Sequence, residues 1–283
     1  MQIIERVQDM RRWSEAQRRD GRRIAFIPTM GFLHEAHLRL VRDGKKRADR
    51  VIVSIFVNPK QFAPSEDFAA YPRNFERDRE LLEKESIDAL FHPSADEIYP
   101  AGFQTQISVD KLSLVLCGPH RPGHFQGVAT VIAILFNIVR PHVAIFGEKD
   151  YQQLQVIRRL VRDLNFDIEI VGHPIVREVD GLAISSRNIY LSPEERQAAL
   201  CLSRSLGRGA CMVKRAETRS RVIIQAVRAE IEKEPLARIE YITLCDSATL
   251  ETLEEIKETA LLALAVRIGK TRLIDNRILK PIG

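Results

Sequence analysis

Two histidines one helical turn apart, His34 and His37, carry the first chemical signal in this chain. They lie in the run IPTMGFLHEAH, Ile27 to His37, where an apolar strand breaks at Pro28 and Gly31 and a helix begins. At a helix start both imidazoles face the same ligand, beside unpaired backbone N–H groups and the positive end of the helix dipole. That environment suits an anion: the rings donate to phosphate oxygens, and a protonated His37 stabilises a leaving pyrophosphate. One such histidine alone is more often a surface residue of an amphipathic helix, but a pair directly after a strand, a turn and a glycine favours function. Zinc fits less well, because no third ligand lies nearby and HxxH is not the HExxH spacing.

Four further clusters extend the pattern. In SIFVNPKQF, Ser54 to Phe62, an apolar run ends at Asn58 and Gln61. Neutral amides there bind hydroxyl and carboxylate groups of a small polar substrate without adding charge, although Asn-Pro by itself is an ordinary turn starter. In IFGEKDYQQL, Ile145 to Leu154, Gly147 permits close backbone approach and Glu148, Lys149 and Asp150 follow at the rim. Lys149 neutralises phosphate charge, Asp150 accepts from a ribose hydroxyl or holds a metal-bound water, and Gln153 faces the same way one turn on. The plainer alternative is a solvated charged loop. In VREVDGLAISSRNIYLS, Val176 to Ser192, a turn at Asp180-Gly181 precedes Ser185, Ser186 and Arg187, a compact set of phosphate donors. A helix cap explains one of those serines but not the cluster. RPGHFQG, Arg121 to Gly127, reads as a glycine-punctuated basic loop, either a lid or a turn. Together these groups describe a triphosphate pocket beside a polar organic substrate. Neither GxxxxGK[ST] nor GxGxxG occurs, so phosphate-loop and dinucleotide designs lose ground.

The elements that must position these residues alternate between short β-branched runs and helix-period segments. Strands are expected at Arg23–Ile27, Val51–Val57, Ala89–Phe91, Val143–Phe146 and Ile168–Val171, with helices at Leu38–Arg47, Phe75–Lys84 and Gln152–Leu164. The pattern predicts an α/β fold, a Rossmann-like doubly wound parallel sheet with its ligand site outside the carboxyl ends of the strands. Near residue 176 the character changes to helices at Pro193–Lys214 and Arg219–Glu232, then strands at Ile239–Leu244, Leu262–Arg267 and Thr271–Asp275. Residues 1–176 are therefore expected to form the nucleotide-binding domain and 177–283 a smaller C-terminal α+β domain that acts as a lid.

Composition narrows the class. With 283 residues, 45% hydrophobic and 29% charged, the chain is long enough for a real core and excludes disordered, collagen-like and disulfide-scaffold classes. The charge of +5 fits anionic partners without choosing among them. RNA is disfavoured: the basic stretches Arg11–Arg23 and Arg42–Arg50 read as solvated helix faces, and one Trp with 6% aromatics offers no stacking platform. Cys117, Cys201, Cys211 and Cys245 show no metal or disulfide spacing and are expected to be reduced core thiols. MQIIERVQDMRRW lacks the apolar centre of a signal peptide and no apolar run approaches the ~20 residues of a membrane helix, so a cytoplasmic location is expected.

PTMGFLHEAH, SIFVNPKQF, RPGHFQGV, FGEKDYQQL and DGLAISSRN, in this order, resemble the pantothenate synthetase (pantoate–β-alanine ligase) family of the HxGH nucleotidyltransferase superfamily. The likeness runs from Pro28 to Asn276. It implies ATP-dependent condensation of pantoate with β-alanine through a pantoyl adenylate, with Mg2+ accompanying ATP, in a cytoplasmic homodimer acting on small molecules. By the same likeness, Met30, Gly31, Phe32, Leu33, His34, Glu35, Ala36 and His37 line the ATP site, His34 and His37 contact phosphates, and His37 is the proton donor. Gly147, Glu148, Lys149 and Asp150 continue that site, Val176 lies near the adenine, and Ile184, Ser185, Ser186 and Arg187 close over the phosphates. Lys149, Ser185, Ser186 and Arg187 thereby count with the histidines as catalytic. Gln61 and Gln153 are implied to hold pantoate, Gln61 also touching β-alanine. One departure stands out: Ala36 occupies the glycine position of HxGH. Its methyl crowds the nucleotide, which implies weaker ATP binding than a glycine at this position would give.

Overall fold

The computed structural model describes residues 1–63 and 66–281. In chain order the elements are β1 (Gln2–Ile4), α1 (Val7–Arg19), β2 (Ile24–Thr29), α2 (Glu35–Arg47), β3 (Arg50–Ile55), α3 (Phe75–Lys84), β4 (Ala89–Phe91), α4 (Ala95–Ile98), α5 (Asp110–Ser113), α6 (His124–Val139), β5 (Val143–Gly147), α7 (Tyr151–Asp163), β6 (Glu169–His173), α8 (Pro193–Val213), α9 (Ser220–Ile231), β7 (Ala237–Asp246), β8 (Ala260–Ile268) and β9 (Thr271–Leu279). They gather into two compact units. The first comprises Met1–Ser113, His120–Glu148 and Gln153–Pro174; the second comprises the chain from Ile175 onward with Leu114–Pro119 and Lys149–Gln152.

In the first unit a six-stranded sheet runs in the order β1-β4-β3-β2-β5-β6, every pair parallel. Side chains of a strand alternate between faces, and the core divides accordingly. Ile24 and Phe26 of β2 point to one face, packed with Met10 of α1, Phe136 of α6 and Leu154 and Ile157 of α7. Ala25 and Ile27 point to the other, packed with Leu40 and Val41 of α2 and Leu82 of α3. Both faces are covered by helices, as a parallel sheet requires. β2 pairs with β3 on one side and with β5 on the other, so the direction of winding reverses between β2 and β5. Ligands of open α/β sheets bind at the carboxyl ends of strands at such a point.

In the second unit α8 and α9 cover the antiparallel sheet β7-β8-β9. Leu262, Leu264 and Val266 of β8 share a core with Leu202 and Leu206 of α8 and Ile223 and Val227 of α9.

Several expectations need correction. RPGHFQG is not a free loop: Gly123, with φ +78°, starts α6, and His124 to Gly127 form its first turn. Thirteen of the 16 residues of α6 are buried, so its sequence lacks the polar stripe that betrays a helix. β9 continues four residues past Asp275, because its pairing with β8 runs on to Leu279. All four cysteines are free thiols, but Cys211 is exposed rather than in a core. Burial pushes the Cys201 and Cys245 thiols up to about 12.

Candidate active site

The loop leaving β2 is held by backbone-directed contacts. Thr29 Oγ1 donates to the Ser54 carbonyl at 2.7 Å and accepts from Gly31 N–H at 3.2 Å. Gly31 and Phe32 follow with φ +80° and +50°, two successive left-handed residues. A Cβ at Gly31 would lie 3.0 Å from Ile55 and 3.1 Å from Asp78, so both conformation and space call for glycine. Asp78 of α3, 1% exposed, accepts from Phe32 N–H at 2.6 Å and Leu33 N–H at 2.7 Å. Arg77 donates to the Leu33 carbonyl at 2.9 Å. Burial pushes the Asp78 carboxyl above the usual carboxylate range, while the two amides and Arg77 pull it back.

This loop delivers His34 to the N-cap of α2 and His37 to its first turn. The two imidazole rings stack with centroids 4.0 Å apart and planes 20° from parallel. His37 Nδ1 accepts from His34 N–H at 3.4 Å. In neutral His37 the ring proton is therefore on Nε2, which makes Nε2–H a donor for a ligand. Glu35 is exposed and pairs with Arg39 and Arg42 along the surface of α2. Ala36 is half-buried.

After β3, Asn58 caps a 3-10 turn, Pro59–Gln61, and both amides are buried. Gln61 Oε1 accepts from Asn58 Nδ2 at 3.1 Å, and Gln61 Nε2 lies 2.9 Å from Met30 Sδ. The amide turn and the histidine loop thus meet at Met30. At the end of β5, a Cβ on Gly147 would meet nothing within 4 Å, so protein packing does not explain the glycine. Glu148–Asp150 form a 3-10 turn, Asp150 exposed, and Gln153 sits half-buried in the first turn of α7.

Within the second unit, Val176 and Ile184 are joined by Ile184 N–H donating to the Val176 carbonyl at 3.0 Å. The chain between them folds back through Gly181, φ +97°, with Arg177 bridged to Ala183. Ser185 caps the 3-10 turn Ser186–Tyr190, its Oγ accepting from Arg187 N–H at 3.3 Å, and Ser186 is buried. One small cavity is lined by Lys149, Ser185, Asn188 and Asp275, with Leu182 and Leu273 among its apolar walls. Asn276 Nδ2 donates to the Lys149 carbonyl at 3.0 Å. Arg177 grips Asp275 with two parallel bonds of 2.7 and 2.8 Å. Sequence reasoning assigned no role to Asp78, Tyr99, His124, Arg177, Asn188 or Asp275, although His124 lies in RPGHFQG and Arg177 and Asn188 lie in VREVDGLAISSRNIYLS. Among the described residues no group of three or more His, Cys, Asp or Glu side chains is placed to hold a metal ion.

A family model described as pantoate-beta-alanine ligase matches residues 2–278. The chain is 55% identical to a pantothenate synthetase of Geobacter sulfurreducens over 282 residues, covering 99% of each protein. It is 54% identical to one of Syntrophus aciditrophicus over 278 residues, covering 98% of this chain and 97% of the relative. Among solved structures, a pantothenate synthetase from Thermus thermophilus superposes with a TM-score of 0.94 at 43% identity, covering 99% of this chain and 100% of that one. Pantoate-beta-alanine ligase from Francisella tularensis, complexed with beta-gamma ATP and beta-alanine, gives 0.81 at 32% identity, covering 98% and 97%.

Proposed function

Because the chain belongs to the pantoate–β-alanine ligase family, it joins pantoate to β-alanine through an amide bond at the expense of ATP, and we propose that it does so through a pantoyl adenylate. A pantoate carboxylate oxygen attacks the α-phosphorus, the bond from that phosphorus to the bridging oxygen breaks, and pyrophosphate leaves. The β-alanine amine then attacks the acyl carbon, loses a proton and expels AMP. Both steps need positioning and charge stabilisation rather than a protein nucleophile.

The observation that carries this reading is the stacked pair His34–His37 at the start of α2, at the winding reversal of the sheet. Its Nε2–H donor suits the charge that develops on departing pyrophosphate. In this assignment Met30 to His37, Gly147 to Asp150, Val176 and Ile184 to Arg187 bind ATP. The open space at Gly147 supports close approach of a ligand to that backbone. Gln61 and Gln153 hold pantoate, and Gln61 also meets β-alanine. Mg2+ belongs to this reading as the ion carried by the triphosphate, whose charge it neutralises; the exposed Asp150 is the carboxylate available to its water shell. From the family likeness we assign a homodimer, and from the sequence a cytoplasmic location and a domain division near residue 176 with the C-terminal part as a lid. No helix among the described residues is long and apolar enough to cross a membrane.

Exchange of labelled pyrophosphate into ATP tests the first step. We expect exchange with pantoate and ATP present and β-alanine omitted. Exchange without pantoate, or exchange that requires β-alanine, would contradict it.

A further inference from the structure

Asn58 is 1% exposed, and its neighbours dictate which end of its amide points where. The Lys60 backbone N–H donates to Oδ1 at 3.2 Å, and the Gly127 carbonyl accepts from Nδ2 at 3.1 Å. Backbone groups cannot exchange roles, so these two contacts settle the orientation that an amide otherwise leaves ambiguous. Reversed, Asn58 would set its NH2 against one N–H and its oxygen against a carbonyl. The Tyr99 hydroxyl, 2.7 Å from Oδ1, must therefore donate. The second Nδ2 proton goes to Gln61 Oε1 at 3.1 Å, which occupies that oxygen and turns the Gln61 NH2 outward, toward Met30 Sδ.

We propose that Tyr99 is a positioning residue of the ligase: backbone groups set the polarity of the Asn58 amide, the Tyr99 hydroxyl locks that amide in place, and Asn58 in turn holds the Gln61 carboxamide with its NH2 toward Met30, so that pantoate meets a hydrogen-bond donor there. This rests on the assignment of Gln61 to pantoate. The rest of the neighbourhood is built to keep that orientation. His124 Nδ1 lies 2.8 Å from the Gln61 backbone carbonyl oxygen, and a Cβ at Gly127 would stand 2.2 Å from the Lys60 carbonyl oxygen, so α6 presses directly on the turn. The Tyr99 ring is fixed between Phe56 and Phe103, with centroids 6.1 and 5.0 Å away. Burial pushes the Tyr99 hydroxyl well above its ordinary range, which keeps it protonated and a donor at every working pH. A polarity set by two backbone groups thus passes through one buried amide to the next. The matching substrate feature is an acceptor, a carboxylate or hydroxyl oxygen.

Steady-state kinetics of Tyr99→Phe, Gln61→Ala and the double variant test this. Phenylalanine keeps the ring contacts and removes only the donor. We expect Tyr99→Phe to raise the KM for pantoate about five- to tenfold, the worth of one neutral hydrogen bond, while the KM for ATP stays within about twofold. In the Gln61→Ala background it should add no further effect, because both changes remove the same contact. Multiplying effects in the double variant, or a rise in both KM values together, would overturn the proposal. A raised pantoate KM in Gln61→Ala beside a parental value in Tyr99→Phe would overturn it alone. An unchanged pantoate KM in Gln61→Ala would overturn the Gln61 assignment and the proposal with it.

Discussion

Replacing His37 by alanine should lower kcat for pantothenate formation by about 100- to 1000-fold, the range for removing a transition-state donor that also transfers a proton. In the proposed assignment the loss falls on chemistry rather than on folding. His37 is half-buried in the first turn of α2, and alanine is a better helix former than histidine. Its Nδ1 is engaged by His34 N–H, so Nε2–H is the atom the ligand loses. His37→Gln supplies an amide donor without an exchangeable ring proton. It should recover ATP binding more than turnover. Rapid-quench measurement of AMP and pyrophosphate, with thermal unfolding as the control for folding, reads both quantities. A His37→Ala enzyme within about fivefold of the parent would remove His37 from the reaction.

Arg177→Ala should destabilise the protein by about 3 kcal/mol, the lower end of the cost of stripping one partner from a buried ion pair. The side chain of Asp275 is 2% exposed and that of Arg177 29%, so the carboxylate is the partner stranded. Asp275 lines the same cavity as Lys149 and Ser185, and the next residue, Asn276, holds the Lys149 carbonyl. The variant should therefore lose activity together with stability. Replacing both partners, Arg177→Met with Asp275→Leu, should return most of the stability, because no buried charge remains unpaired. It should not return the activity, since the cavity wall has changed. Urea denaturation checks the first claim; a loss below about 1 kcal/mol would show that solvent compensates the carboxylate.

The two largest effects fall on residues of very different legibility. His34 and His37 are three positions apart beside a strand break, so one short window of sequence contains the whole pair. The helices α2, α3 and α7 announce themselves through apolar stripes, and β2, β3 and β5 through β-branched runs. What escaped notice depends on distance or on uniform surroundings. Arg177 and Asp275 are 98 positions apart, Tyr99 and Asn58 41, and Asp78 and Phe32 46. No periodicity links such pairs before the chain folds. α6 is buried nearly all round and shows no polar face, while α1 buries only Met10 and Ser14 and so resembles a charged surface run. The three residues of β1 are too short to register except by pairing with β4. The candidate histidines are readable because they are contiguous. The groups that aim them are not, because they come from other elements.

Oxygen transfer from pantoate to AMP tests the central claim most directly. Pantoate labelled with 18O in its carboxylate, turned over with ATP and β-alanine, should yield AMP carrying one 18O on its phosphate, because the attacking oxygen stays on phosphorus when the amine displaces it. Unlabelled AMP, or label in pyrophosphate, would show that activation takes another route.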